Sequence, residues 1–386
     1  MHSVLAAPDY DLATWRSRIP LLASLIPMNN CSQAPQTEWT RAAAERYLTS
    51  WNDSGMDWDS WMAEVQLAKE EFARLINASA DEIAVFSSVS EATSAVASTF
   101  DFTGARRNVV VTEAEFPTIG HVWLAQERRG ATVSWVPVRD GAVPLDEYDR
   151  LVDDRTAIVS ASHGYYLNGS MQDVAALATR VHAHGALLYV DGYQTLGTIA
   201  MDVRAADVDF LAAGNLKFLM GVPGIAFLYV RRALIGAMRP TVTGWFGRAN
   251  PFAFEAKTLD WSSTASRLDA GTPPVINAYI ARAGMQVINA VGVPAIRSWL
   301  EVLGQRLIDG GAARGLTLHG TTDMRRKTAT TAFVVADSHA VESFMRARGV
   351  LPSARGPVIR LSPHFYNTIE DVDTALDALA SAVGAT

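Results

Sequence analysis

The sequence contains one cysteine, little excess charge and no long apolar run, and each of these absences excludes a class of protein. The single cysteine, Cys31, cannot form a disulfide within the chain or a metal site built from several thiolates, so no metal is expected. The net charge of −7 provides no basic surface for nucleic acid or for an anionic membrane. Residues 1–15 lack the cationic start of a secretion signal, and the apolar stretch 19–28 is far shorter than the roughly 20 residues that cross a bilayer. We therefore expect a cytoplasmic protein that acts on a small molecule.

Short apolar runs alternate with helical stretches through the middle of the chain. Residues 38–51 and 57–77 have helical periodicity and precede these runs. The predicted strands are residues 83–86, 108–112, 132–136, 157–160, 186–190, 208–211 and 225–230. Continuous apolar strands separated by helices are typical of βαβ units, whose sheet is covered on both faces. The sequence therefore predicts an α/β fold with a large, mostly parallel sheet flanked by helices.

The pattern changes after the last of these strands. An irregular, aromatic-rich stretch at 245–261 is followed by one long helix predicted over 273–313. The C-terminal part is predicted to be a small α+β unit with strands at 332–335 and 358–361 and helices at 338–348 and 369–383.

The length and composition allow more than one domain. With 386 residues, 49% of them hydrophobic, the chain can bury one large core and one smaller core. We expect residues 1–55 to contribute to the small domain and the site entrance. Residues 56–270 would form the large domain, and residues 271–386 the interdomain helix and the small C-terminal domain.

The chemically informative residues follow the strand predicted at 186–190. Asp191 comes directly after it, at the carboxyl end of a strand, where sites in open α/β sheets form. Gln194 follows three residues later, and Lys217 lies in a loop of small residues after the next strand. Singly, these residues could be a helix cap, a loop amide and a surface lysine. Their joint spacing resembles the class V aminotransferase superfamily of pyridoxal 5′-phosphate (PLP) enzymes, which includes cysteine desulfurases, kynureninase and isopenicillin N epimerase.

The resemblance covers about residues 29–371 and implies the PLP-dependent transferase fold type I, with a small α+β C-terminal domain and a homodimer that shares its active sites. It implies that Lys217 holds PLP as a Schiff base and moves protons at the substrate Cα. Asp191 would pair with the pyridine nitrogen and keep it protonated, and Gln194 would bind the phenolic oxygen. A nicotinamide enzyme is set aside, because no Gly-x-Gly-x-x-Gly follows the first strand.

The cofactor phosphate is assigned to the loop after the first strand of the sheet. Ser88, Val89, Ser90 and Glu91 lie between a strand and a helix, where backbone N–H groups bind phosphate. This loop is similar to the family's phosphate loop, with Ser90 as the hydroxyl donor, although a plain serine N-cap predicts the same sequence. Many members have Ser-x-His-Lys before the lysine, and Asn215 is expected to replace one of these two missing ligands.

The resemblance implies further cofactor contacts in other loops. Phe116 would stack on the cofactor ring, with a buried core position as the alternative. Tyr166 and Asn168 lie in the family's next site loop. Trp245 and Thr272 are similar to family segments that reach the cofactor phosphate of the neighbouring subunit, and packing at the domain seam is the alternative for them.

Substrate binding is assigned to Arg360 and Asn30. Arg360 lies on the strand predicted at 358–361 and is similar to the family's arginine, whose guanidinium can hold an α-carboxylate through two parallel hydrogen bonds. An exposed arginine in a salt bridge is the alternative. Asn30 lies in the N-terminal segment that approaches the substrate in the family, and His163 is interpreted as structural.

One departure from the family bears on the reaction. Desulfurases carry a mobile-loop cysteine that accepts sulfur, and the corresponding residues 349–356 contain none. The aromatic residues expected around the site favour a bulky substrate, and they are Tyr165, Tyr166, Trp245, Phe246, Phe252 and Phe254. We expect Cβ–S or Cβ–C cleavage of a cysteine conjugate or a kynurenine-like compound. An aminotransferase or epimerase of the same family, and a non-catalytic scaffold, are the alternatives.

Overall fold

The computed structural model describes residues 7–385, in which strands and helices alternate. The strands are β1 (Ile26–Pro27), β2 (Ile83–Phe86), β3 (Asn108–Thr112), β4 (Thr132–Val136), β5 (Thr156–Ser162), β6 (Leu187–Asp191), β7 (Phe210–Gly214), β8 (Ala226–Val230), β9 (Leu318–His319), β10 (Thr331–Val334), β11 (Val350–Leu351), β12 (Ser353–Arg355) and β13 (Val358–Leu361). The α-helices are α1 (Leu12–Ser17), α2 (Glu38–Ser54), α3 (Trp58–Leu75), α4 (Val89–Ser98), α5 (Pro117–Leu124), α6 (Leu145–Asp149), α7 (Val174–Ala183), α8 (Arg232–Ile235), α9 (Val275–Val291), α10 (Val293–Ala313), α11 (Ser338–Arg346) and α12 (Ile369–Ala385). Residues 1–6, part of the stretch considered above for a secretion signal, and residue 386 lie outside the described residues.

The large sheet has seven strands in the order β2-β8-β7-β6-β5-β3-β4. Strand β8 is antiparallel to both of its neighbours, and the other neighbouring pairs are parallel. Strands β2, β5, β7 and β8 are buried along their whole length. Such burial requires cover on both faces and explains the continuous apolar runs in the sequence. The predicted α/β fold with a mostly parallel sheet is confirmed.

Alternate side chains of the large sheet enter two separate cores. Leu188 and Val190 of β6 belong to the core that includes residues of α3, α7 and α9. Tyr189, between them, belongs to the core that includes residues of α4 and α5. Successive side chains of a strand point to opposite faces, so the apolar run of β6 fills both cores. The run ends at Asp191, which places a carboxylate at the carboxyl end of the strand.

The prediction of one helix over 273–313 is wrong. Helix α9 ends at Val291 and α10 begins at Val293, and Gly292 between them has φ of 89°. A left-handed residue cannot continue an α-helix, and Pro294 in the first turn of α10 has no N–H to donate backwards. Helical periodicity on both sides of Gly292 concealed the break.

The C-terminal part contains a four-stranded antiparallel sheet in the order β12-β13-β10-β9. Phe333 of β10 and Ile359 of β13 share a core with residues of α10, α11 and α12. Ile19 and Met28, from the N-terminal segment, belong to the same core, and β1 pairs with β11. The N-terminal segment therefore packs against the C-terminal part of the chain.

The division into residues 1–55, 56–270 and 271–386 stays a prediction. Within residues 7–385, none of the helices combines the length and the apolar character that crossing a bilayer requires.

Candidate active site

Asp191 lies at the carboxyl end of β6, between β5 and β7. Its side chain is buried, and its Oδ1 accepts the Tyr193 N–H at 2.8 Å. Its Oδ2 accepts no hydrogen bond from residues 7–385. Burial raises the pKa of Asp191 above its ordinary value, while the Tyr193 N–H and the Lys217 amine oppose this shift. The carboxylate therefore has a free oxygen and a cation nearby.

Lys217 lies in the loop that follows β7, and its amine is close to two aromatic rings. Its Nζ is 4.1 Å from the ring centroid of Tyr193 and 5.7 Å from that of Phe116. Burial lowers the pKa of Lys217 to about 8, and the attraction of Asp191 limits this shift. Desolvation disfavours the charged amine, so part of it is uncharged near neutral pH.

The predicted phosphate loop forms the start of α4. Ser88 is the N-cap, and its Oγ accepts the Glu91 N–H at 3.2 Å. The Glu91 carboxylate turns back to accept the N–H and hydroxyl of Ser87. The N–H groups of Val89 and Ser90 have no acceptor within residues 7–385, and the Ser90 hydroxyl lies 3.1 Å from that of Thr118. Free N–H groups at a helix N-terminus suit an anion, although the serine N-cap is also present.

Phe116 and Tyr166 form an aromatic pair beside Lys217. Their ring centroids are 5.3 Å apart with the rings at 85°. Phe116 is 42% exposed, so its alternative interpretation as a buried core residue is wrong. The Tyr166 carbonyl accepts a hydrogen bond of 2.6 Å from Arg360, which joins this pair to the small domain.

Arg360 lies on β13 and is almost completely buried, with 1% of its surface exposed. Its two terminal nitrogens donate to the Tyr166 carbonyl and to the hydroxyls of Ser32 and Ser353. Its Nε has no partner, and it forms no ion pair with residues 7–385. The alternative of an exposed, salt-bridged arginine is therefore wrong. A buried guanidinium without a carboxylate is suited to an anionic ligand.

Asn30 lies in the N-terminal segment, and Gln194 bonds to that segment. The Asn30 amide donates to the Ser362 carbonyl at 2.8 Å, and its oxygen accepts the Tyr366 hydroxyl. The Gln194 amide donates to the Cys31 carbonyl at 3.1 Å, and its buried Oε1 has no partner in the described part of the chain. The Asn30 side chain is thus occupied by protein contacts, whereas Gln194 keeps an unused acceptor.

Two predicted residues, Asn168 and Trp245, contact other groups, and a third, Thr272, is exposed. The Asn168 amide donates to the Gly141 carbonyl and accepts from the Ser170 N–H. Trp245 packs with other aromatic residues of the irregular segment, and Thr272 is exposed. Their proposed contacts with the cofactor stay predictions.

Asn215 is fully buried, and neither atom of its amide group has a hydrogen-bond partner among residues 7–385. It packs against Gly221, where a Cβ would lie only 1.6 Å from the Asn215 Oδ1. Unsatisfied buried amides are rare, and this one is suited to bind a ligand. His163, in contrast, is bonded to the Thr195 hydroxyl, and burial lowers its pKa to about 4, which agrees with its structural interpretation.

Glu115 is a site residue that the sequence analysis missed. It precedes Phe116 and is buried, its Oε2 accepts the Ser162 hydroxyl at 2.6 Å, and its Oε1 has no partner that the structure describes over residues 7–385. Burial, and then repulsion from Asp191, raise the pKa of Glu115 to about 8. Strands β3 and β5 are adjacent and parallel, so the residues after β3 meet the end of β5. The signal available in the sequence was the position of Glu115, directly before Phe116 in the stretch that follows the strand predicted at 108–112.

The residues around Lys217 fit PLP. A buried carboxylate with a free oxygen is suited to a pyridinium nitrogen, and the free N–H groups of α4 are suited to a phosphate. The aromatic faces beside Lys217 suit a planar ring. The unpartnered amide atoms of Asn215 and Gln194 add polar groups that a bound cofactor could satisfy.

The family profile described as Aminotransferase class-V matches residues 38–375. The chain belongs to the class V aminotransferase family. This class V protein is accordingly a PLP-dependent enzyme of the lyase or aminotransferase type, and its cofactor is PLP.

Relatives of this class V protein match from about two thirds to all of the chain. It is 35% identical over 369 residues to the uncharacterized aminotransferase YcbU of Bacillus subtilis (strain 168), which covers 95% of this chain and 97% of that protein. It is 30% identical over 269 residues to kynureninase of Deinococcus radiodurans, covering 69% of this chain and 63% of that protein. The apo cysteine desulfurase of Thermococcus onnurineus NA1 has a TM-score of 0.88 at 20% identity, with 100% of both chains covered. These findings confirm the predicted family and fold type I.

Proposed function

We propose that this class V protein is a PLP-dependent lyase that cleaves a Cβ–S or Cβ–C bond of a bulky α-amino acid. The observation that carries the proposal is the position of the Lys217 amine, close to the rings of Tyr193 and Phe116 and near the buried Asp191. An amine whose pKa is about 8 can both accept and return a proton near neutral pH.

Each side chain of the site has its own role in the proposed reaction. PLP, when bound, supplies an electron sink for the negative charge that develops at the substrate Cα. The Lys217 amine accepts the Cα proton, and the free Oδ2 of Asp191 would hold the proton of the pyridine nitrogen. The N–H groups of Val89 and Ser90 would hold the phosphate. Arg360 would bind the substrate α-carboxylate and thereby fix Cα relative to Lys217.

The preference for cleavage at Cβ rests on two features. Residues 349–356 contain no cysteine, so the thiol that would accept sulfur in the desulfurase reaction is missing from its usual place. The aromatic pair of Phe116 and Tyr166 provides apolar surface for a bulky side chain. A solved structure with a TM-score of 0.86 at 18% identity is described as a cystine C–S lyase, which is a precedent for C–S cleavage on this fold.

Transamination is the second candidate reaction, because the relative that covers 95% of this chain is described as an aminotransferase. Both reactions begin with the removal of the Cα proton, and Lys217 serves both. They differ in where the proton is returned and in whether a group leaves from Cβ.

We also propose that the protein is a homodimer with shared active sites. Phe252 is 45% exposed and Phe254 is 76% exposed, and both contact Trp245. An exposed aromatic cluster of this kind favours association with another chain. A second copy would cover this surface and bring Trp245 and Thr272 towards the partner's cofactor phosphate.

Product analysis separates the two candidate reactions. The protein loaded with PLP is incubated with S-aryl-L-cysteines and L-kynurenine, and the products are identified by mass spectrometry. Ammonia or alanine together with a released thiol or aromatic acid supports cleavage at Cβ. A keto acid with aminated cofactor would instead establish transamination.

A variant pair tests the role of Lys217. Borohydride should fix PLP on the wild type and on Lys257→Ala, which changes an exposed lysine, but not on Lys217→Ala. Fixation on Lys217→Ala would refute the assignment of Lys217. A wild type that takes up no PLP would refute the proposed function.

A further inference from the structure

The β12–β13 hairpin places a second arginine, Arg355, on the same side as the substrate arginine. Ser353 is directly opposite Arg360 in the antiparallel register, and Arg355 is opposite Val358. Side chains two residues apart on a strand share a face, so Ser353 and Arg355 point the same way. The Ser353 hydroxyl accepts a hydrogen bond of 2.6 Å from Arg360. Arg355 therefore extends from the face of β12 that meets the buried guanidinium of the site.

Arg355 is an exposed cation without a partner among the described residues. Its guanidinium forms no ion pair and no hydrogen bond with residues 7–385. Other arginines of the small domain, such as Arg306 and Arg314, are paired with carboxylates of α12. The positive charge of Arg355 is also close enough to Lys217 to contribute, with Arg360, to lowering the pKa of that amine. Two guanidinium groups thus act on the same amine, and one of them has no acceptor.

The proposed function leaves the positive charge of Arg355 without an anion, and a substrate carboxylate could supply one. In the proposed function, Asp191 serves the cofactor and Arg360 binds the α-carboxylate of the substrate. No carboxylate within residues 7–385 is paired with Arg355, so its donors are available to a ligand. An arginine fork binds a carboxylate through two parallel hydrogen bonds and favours it over an uncharged group of the same shape.

We propose that Arg355 binds a carboxylate at the far end of the substrate side chain, so that the substrate is an α-amino acid with a second acidic group. The proposal rests on the proposed function, because it takes Arg360 as the anchor of the α-carboxylate. It narrows the substrate class to acidic amino acids, including cysteine conjugates whose sulfur substituent carries a carboxylate.

Matched pairs of ligands test the proposal on the PLP-loaded protein. S-carboxymethyl-L-cysteine is compared with S-carbamoylmethyl-L-cysteine, and L-glutamate with L-glutamine, by titration of the visible absorbance of the cofactor. We expect the acid of at least one pair to bind about tenfold more tightly than its amide at low salt. The preference should decrease as salt is added, because Arg355 is exposed.

Two variants test whether Arg355 causes the preference for the acid over the amide. Arg355→Gln should abolish the preference for the acid and leave the affinity for the amide within about twofold. Arg348→Gln is the matched control, since Arg348 is an exposed arginine of the small domain that packs over the Phe344 ring. It should keep the preference of the wild type.

Three outcomes would overturn the proposal. The first is a wild type that prefers no acid over its amide, and the second is a preference that survives in Arg355→Gln. The third is an equal loss of affinity for both members of a pair in Arg355→Gln, which would make Arg355 the anchor of the α-carboxylate. A wild type that binds no PLP, or whose absorbance responds to no amino acid, would instead refute the proposed function on which this inference rests.

Discussion

Glu115→Gln should make the stability of the protein less sensitive to alkaline pH. In the folded chain, burial raises the pKa of Glu115 to about 8 from an ordinary value of 4.5. The folded state therefore binds a proton that the unfolded state releases between these two pH values, and the stability contributed by Glu115 falls as pH rises through this window. Glutamine has the same shape, can still accept the Ser162 hydroxyl and does not titrate.

The size of the effect follows from the shift. A rise in pKa from 4.5 to about 8 lowers the free energy of unfolding of the wild type by about 5 kcal/mol above pH 8. About 2 kcal/mol of this stability is already lost at pH 6. Relative to the wild type, Glu115→Gln should therefore gain about 3 kcal/mol of stability against unfolding between pH 6 and pH 9.

Urea unfolding of the cofactor-free proteins at pH 6 and pH 9, followed by tryptophan fluorescence, measures this difference. Glu113→Gln is the control, because Glu113 is exposed two residues earlier on the same segment. It should show no such change with pH. If the free energies of unfolding of Glu115→Gln and the wild type differ by the same amount at the two pH values, the reasoning is refuted. Glu115 would then titrate alike in the folded and unfolded chain.

Further changes probe the same region. Arg360→Lys cannot reproduce the guanidinium fork, so carboxylate ligands should bind about a hundredfold more weakly while PLP is retained; absorbance titration checks both, and loss of PLP would contradict the assignment. Asp191→Asn removes the attraction that holds up the pKa of Lys217, so this pKa should fall below about 8. The pH profile of reductive methylation at Lys217 should move to lower pH, and a shift upward would be inconsistent with this account. Gly221→Ala would place a Cβ 1.6 Å from a buried amide oxygen and should cost about 1–3 kcal/mol in thermal or urea unfolding, whereas Gly236→Ala, with nothing within 4 Å, should cost much less.

The secondary structure of the large sheet was predictable because its strands are buried on both faces. Predicted strands at 83–86, 108–112 and 132–136 agree residue for residue with β2, β3 and β4. The break at Gly292 was not predictable from periodicity, since the apolar pattern continues through it. The short strands β9, β11 and β12 were missed because they are only two or three residues long, and their pairing depends on distant segments.

The sequence by itself determined the family, the cofactor and the end of the sheet at which the site lies. Asp191 follows a continuous apolar run, and the carboxyl ends of neighbouring parallel strands meet at one edge, so its position was implied by local pattern alone. The roles of single residues at that edge are still proposals, and the spacing of Asp191, Gln194 and Lys217 is what indicated them.

Only the tertiary structure decided which other side chains reach this edge and in what state. Burial raises the pKa of Glu115, and the Phe116 ring stays partly exposed beside Lys217. The register of β12 with β13 places Arg355 on the same face as Arg360. These properties depend on contacts between residues far apart in the chain. Desolvation and strand register are set by packing, so a local pattern of residues does not predict them.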